Sequence, residues 1–197
     1  MLVSEAIGQD HLYLDSCYEN LKSSSTTDDK IKWRNMLVWN LARHAISEEL
    51  TVYPAMEKHL GEEGKTLTKD DFEQHAAVKK DLYVLQSLSP SDPKFSPLLE
   101  QLMHDLHTHI EHEKNEDMPR LESVLSTSES EDIAKQFMRT KQFVPTKSHP
   151  DAPTSSPVIE GLAGLLAAPV DKLRTMMDSF PEGEVTGSAE VDWRGML

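Results

Sequence analysis

Between residue 5 and about residue 142 apolar side chains recur at alternating steps of three and four, the spacing of helices that bury a single face. Four polar stretches interrupt the pattern, at 23–29 (SSSTTDD), 59–71, 87–97 and 126–132, and their Ser, Thr, Asp and Pro residues supply turn formers and N-caps. Residues 68–71 read as a cap before Phe72, and residues 126–131 as one before Ile133. The pattern predicts an all-α, up-down-up-down four-helix bundle over 1–126, with an additional short helix over 127–144. Four prolines then crowd residues 145–157, which disfavours helix and predicts an extended connector. An apolar segment follows at 158–181, interrupted by Pro169 and too short to span a bilayer; it is expected to dock on the bundle as a helical wrap, or to meet a protein partner. Residues 182–197 read as a tail, and no internal repeat stands out by identity.

Polar residues sit on the apolar stripes. In the first helix the stripe runs Ile7, His11, Leu14, Tyr18, Leu21, and in the second Leu37, Leu41, His44, Glu48, Val52, Ala55. The third gives Phe72, His75, Val78 or Lys79, Leu82, Leu85. The fourth offers three His/Glu pairs four residues apart, but only His109 and Glu113 continue the row of Leu99, Leu102 and Leu106. His107 and His112 belong to other rows, and with His59 and His104 they are expected on solvated faces, His112 near enough to support the site. Burying even one such side chain without a partner is costly, and here six share one core. The histidine intervals of 33, 31 and 34 residues would place all four at a similar depth in an antiparallel bundle.

Composition narrows the chemistry. With 20 Lys and Arg against 34 Asp and Glu the net charge is −14, which repels nucleic-acid phosphates and anionic membranes. Eight glycines in 197 residues argue against glycine-rich phosphate or dinucleotide loops. One cysteine, Cys17, cannot form an intrachain disulfide, which suits a reducing compartment; the expected location is the cytoplasm. Four imidazoles and two carboxylates without a thiolate suit first-row metals. Two carboxylates able to bridge imply two ions, with iron preferred and zinc or manganese compatible with the same donors.

Gln9-Asp10-His11 opening a helix, RHAISEELTVYP (43–54), FEQHAAVKKDL (72–82) and LHTHIEHEKNEDMP (106–119) together resemble the hemerythrin-like, HHE cation-binding domain over about residues 5–126. The region beyond Phe137 is similar, more weakly, to an extension of fungal members. The resemblance implies a non-haem di-iron centre, with His11 and His44 on one iron, His75 and His109 on the other, and Glu48 and Glu113 bridging. It departs at Lys79, where oxygen-carrying members have a further histidine; Tyr53, Glu49 or a water is left to complete the coordination. Open positions on both metals weigh against reversible oxygen storage. The expected ligand is therefore dioxygen, peroxide or nitric oxide, with two alternatives: an oxidase or oxygenase for a small organic substrate, or a storage or sensing module. Asp10, Asn40 and Asp105 are the candidates to support the ligand histidines.

Overall fold

A computed structural model of the chain describes residues 1–143 and 180–181. Among these there are helices and no strands: α1 (Val3–Ser23), α2 (Thr27–Ser47), a π-helical turn (Glu48–Val52), α3 (Tyr53–Leu60), α4 (Glu62–Leu85), α5 (Phe95–His112), a second π-helical turn (Glu113–Asp117), α6 (Met118–Val124) and α7 (Thr127–Phe143). Each π turn continues the helix before it into the helix after it, so the elements make five rods.

Short connections force neighbouring rods to run antiparallel. Thr26 caps α2 by accepting from the Asp29 amide at 3.0 Å. Ser126 and Glu129 form a reciprocal pair at the start of α7, the Ser126 amide donating to Glu129 at 2.9 Å and the Glu129 amide to Ser126 at 3.3 Å. The turn between α3 and α4 is a single residue, Gly61, at φ 64° and ψ −128°, a region that side chains avoid. A β-carbon on Gly64 would lie 2.2 Å from the Met56 carbonyl oxygen, so only glycine lets the rods approach this closely. The break expected across 59–71 thus shrinks to one residue. Thr68 and Asp71, read as capping residues, are instead buried within α4.

The rods α1, α2–α3, α4 and α5–α6 pack around a common axis, and α7 lies across α1, α2 and the first π turn. Two apolar clusters fill the interior. One holds Leu14, Leu37, Leu41, Leu82, Leu102 and Leu106, with Tyr18 packed against it as core. The other holds Ile7, Val52, Met56, Leu121 and Phe137. Along every rod of the ring, the sequence passes from one cluster to the other through the polar residues of the inward stripe. Phe180 returns to the bundle beside Trp39, with ring centroids 5.6 Å apart. The connector expected at 145–157, the rest of the apolar segment at 158–181 and the tail at 182–197 lie outside the described residues. Among the described residues no helix is long and apolar enough to cross a membrane.

Candidate metal centre

His11, His44, Glu48, His75, His109 and Glu113 converge between the two apolar clusters, and none is more than 6% exposed. The His11 and His44 Nε2 atoms lie 3.1 Å apart, and those of His75 and His109 2.9 Å apart. The Glu48 carboxylate spans the two pairs, with Oε1 3.1 Å from His44 and Oε2 3.5 Å from His75. Glu113 Oε2 stands 3.3 Å from His11 and 3.6 Å from His109. Ligand atoms of His11, His44, Glu48 and Glu113 form one group close enough to share an ion, and those of Glu48, His75 and His109 a second, with Glu48 common to both.

The outer nitrogens decide what the inner ones can do. Nδ1 of His44 donates to Asp10 at 2.8 Å, Nδ1 of His75 to Glu49 at 2.9 Å, and Nδ1 of His109 to Gln74 Oε1 at 3.1 Å. A neutral imidazole that donates through Nδ1 presents a lone pair at Nε2, so these three rings point acceptors at one another and at the carboxylates. All four oxygens of Glu48 and Glu113 are buried without a hydrogen bond. A cavity lined by facing lone pairs is costly unless protons or metal cations sit among them, and the donor set fits a pair of first-row metal ions.

Electrostatics agrees. Burial, with repulsion between neighbouring imidazoles, pushes His44 down to about 4 and His109 to about 3, keeping both neutral as a ligand must be. Burial and the nearby Glu113 charge hold Glu48 well above the usual carboxylate range. Burial would raise Glu113 too, but His109 and His11 outweigh it and keep its carboxyl low. Burial likewise raises Asp10, yet the hydrogen bond from His44 and the charge of Lys141 hold it well below its ordinary value.

Both glutamates open a π turn. The Tyr53 amide bonds back to the Glu48 carbonyl and the Met118 amide to the Glu113 carbonyl, each spanning five residues. The cause is one residue further on: Pro54 and Pro119 lack an amide hydrogen and clash with the carbonyl four residues back, which the wider turn relieves. His44, Glu48 and Pro54 thus match His109, Glu113 and Pro119 in spacing, so the proline extends the repeated H-x-x-x-E pair into a longer local repeat. The wide turn also turns two consecutive residues, Glu48 and Glu49, inward.

The three His/Glu pairs of the fourth rod separate cleanly, since the His107 side chain is 47% exposed and pairs with Asp15, and His112 is 33% exposed. Of the expected supporting residues, Asp10 contacts His44, whereas Asn40 Nδ2 donates to the Met36 carbonyl and Asp105 accepts from Gln101, neither touching a ligand histidine. Glu49 and Gln74 hold those places for His75 and His109. Glu49 lies on the Nδ1 side of His75 and is bound at 2.6 and 2.7 Å by the buried Lys79 ammonium, so Lys79 acts as its counter-charge. The Tyr53 hydroxyl is 3.0 Å from His75 Nε2, on the inner face. The fifth rod closes the other side: Phe137 packs edge-on to His44 with centroids 5.9 Å apart, and the Lys141 ammonium pairs with Asp10. Arg43 ties α7 in place, its Nε donating to the Lys141 carbonyl while its guanidinium stacks 3.9 Å over Trp39.

Residues 3–121 match the hemerythrin HHE cation binding domain. An uncharacterized hemerythrin-like protein of Schizosaccharomyces pombe is 49% identical over 179 residues, covering 91% of this chain and 88% of its own length. A DNA nickase of a Nostoc species is 23% identical over 144 residues, covering 73% of this chain but only 40% of that protein. No solved structure matches.

Proposed function

The chain belongs to the hemerythrin HHE cation-binding family, and from that premise we propose that it is a non-haem di-iron protein that reduces dioxygen or a related small oxidant. His11 and His44 would hold one iron, His75 and His109 the other, and Glu48 and Glu113 would bridge them. The observation that carries this reading is the buried enclosure of Nε2 lone pairs and orphaned carboxylate oxygens, with Glu48 reaching both histidine pairs. Two adjacent ferrous ions held there would supply two electrons, enough to take dioxygen to peroxide or peroxide to water with two protons.

The protein's own groups then set the conditions. Asp10, Glu49 and Gln74 orient three of the ligand rings, and Asp10 and Glu49 add negative charge that makes the imidazoles better donors. The two apolar clusters, the second including Phe137, exclude water. Tyr53 is kept protonated by burial and by the surrounding carboxylates, and so offers a hydrogen-bond donor within the enclosure. Lys79 is committed to Glu49, so with two imidazoles each the ions would keep room for an exchangeable ligand. That supports turnover over reversible storage. The net charge of −14 opposes nucleic-acid contact, so the activity named for the Nostoc protein is not carried over.

The test is to load the protein anaerobically with iron, admit dioxygen and follow the visible spectrum. Prompt conversion to a ferric state that persists when oxygen is removed is the expected result. A coloured form that bleaches and returns as oxygen is withdrawn and readmitted would establish carriage instead. Less than about one iron per chain, with uptake unaltered in Glu48→Ala or Glu113→Ala, would refute the centre itself.

A further inference from the structure

Beyond the six-residue enclosure, on the Nδ1 side of His109, the bundle buries a second group of ligating side chains that the proposed centre does not use. Asp71 projects from α4 one turn before His75, and Asp117 closes the second π turn one step of four after Glu113; both are fully buried. All four of their carboxylate oxygens, and Nδ1 of His112 facing them, lack a hydrogen bond. His112 Nδ1 is 3.1 Å from Asp117 Oδ2 and 3.8 Å from Asp71 Oδ1, and Asp71 Oδ1 is 3.9 Å from His109 Nδ1. The nearby guanidinium of Arg120 bridges Glu116 at 2.5 Å and Glu63 at 3.3 Å.

Two buried carboxylates facing one imidazole are costly unless protons or a cation neutralise them. Burial, together with each other's proximity and that of Glu113, pushes Asp71 up to about 9. Burial also raises Asp117, to about 6, against the opposing pull of His112. One ligand atom from each of the three residues lies within 4.8 Å of the others, a spacing a single ion can bridge at ordinary ligand distances of about 2.0–2.3 Å. One imidazole and two carboxylates suit a first-row divalent cation. The His112 side chain is 33% exposed, so this group lies nearer the surface than the six-residue enclosure, none of whose side chains is so exposed.

We propose that Asp71, His112 and Asp117 form a mononuclear binding site for a divalent first-row cation, separate from the dinuclear centre and reached from solvent past His112. It shares no ligand with the centre and adjoins it through the His109 ring, with Asp71 Oδ1 3.9 Å from His109 Nδ1.

The full-length protein, stripped with a chelator and titrated with Mn2+ alone under equilibrium dialysis, tests this. The expected result is that wild type at saturation takes up one equivalent more than His112→Ala and Asp117→Asn, with an isolated-ion paramagnetic resonance signal present in wild type and missing from both variants. Thermal melts establish that each variant is folded, and the partly exposed His112 is the safer of the two changes. Equal uptake and equal signals in wild type and both folded variants would overturn the proposal and identify the group as carboxyls neutralised by shared protons. Glu48→Ala reads the dinuclear centre separately. If that variant binds as much as wild type while His112→Ala still loses an equivalent, the centre fails and this site stands.

Discussion

Replacing Asp10 by Asn keeps the shape of the side chain and removes a charge that two buried groups share. One carboxylate oxygen accepts from His44 Nδ1 at 2.8 Å, and the other pairs with the Lys141 ammonium of α7, whose side chain is only 7% exposed. Breaking a buried ion pair from one side strands the remaining charge at a cost of about 3–5 kcal/mol. At roughly 2–4 °C per kcal/mol for a chain of this size, the melting temperature should fall by about 6–20 °C. The loss should shrink as pH rises, because burial already depresses Lys141 and without Asp10 it sheds its proton more readily. Metal affinity, read by competition against a chelator, should drop by about 10–100-fold as His44 loses its anionic acceptor. Adding Lys141→Met removes the stranded ammonium, so urea melts of the double variant should recover to within ~1–2 kcal/mol of wild type, while metal affinity stays low. If Asp10→Asn melts within about 0.5 kcal/mol of wild type, or if the double variant stays as unstable as the single one, then the buried pair is not what fastens α7 to the centre.

Three further outcomes follow from the same geometry. Lys79→Met leaves the Glu49 carboxylate buried and unneutralised, and urea melts should show a loss of about 3–5 kcal/mol that Glu49→Gln in the same chain largely restores. Gly64→Ala drives a methyl into the Met56 carbonyl, so thermal melts should register at least ~1–3 kcal/mol of destabilisation, with Gly8→Ala, which meets nothing within 4 Å, as the control. With chelator present, the stabilising contribution of Asp71 should be complete below its ordinary carboxylate value near 4 and be lost as pH climbs toward 9; the folded state raises Asp71 from 3.8 to about 9 and so binds a proton that the unfolded chain has released. Asp71→Asn should flatten that slope in pH-dependent urea melts.

Much of the centre was legible because helical period and chemistry pointed the same way. His11, His44, Glu48, His75, His109 and Glu113 each replace an apolar residue on an inward stripe, and a bundle with short loops brings such stripes to one axis. His107 and His112 drew attention by density but fell on other rows, and the structure leaves both partly or largely in solvent. Asp71 and Asp117 were missed although a signal was present: Asp71 precedes His75 by one turn and Asp117 follows Glu113 by one turn. Reading residues 68–71 as a cap placed Asp71 outside the helix and hid that row. The one-residue turn at Gly61 was equally hidden, since polar residues on the solvated face of α4 resemble those of a loop.

Period settled which side chains point inward, because burial along a helix repeats every 3.6 residues whatever the neighbouring rod carries. It could not settle what those side chains meet. That Lys79 answers Glu49 rather than a metal, that Gln74 supports His109, and that Lys141 reaches Asp10 from a fifth rod all depend on the rotation and offset of one helix against another. Those are set by packing and by the two proline-driven π turns, which shift the register just after Glu48 and Glu113. Lateral contacts of this kind join residues 26 to 131 positions apart, and no local pattern encodes them.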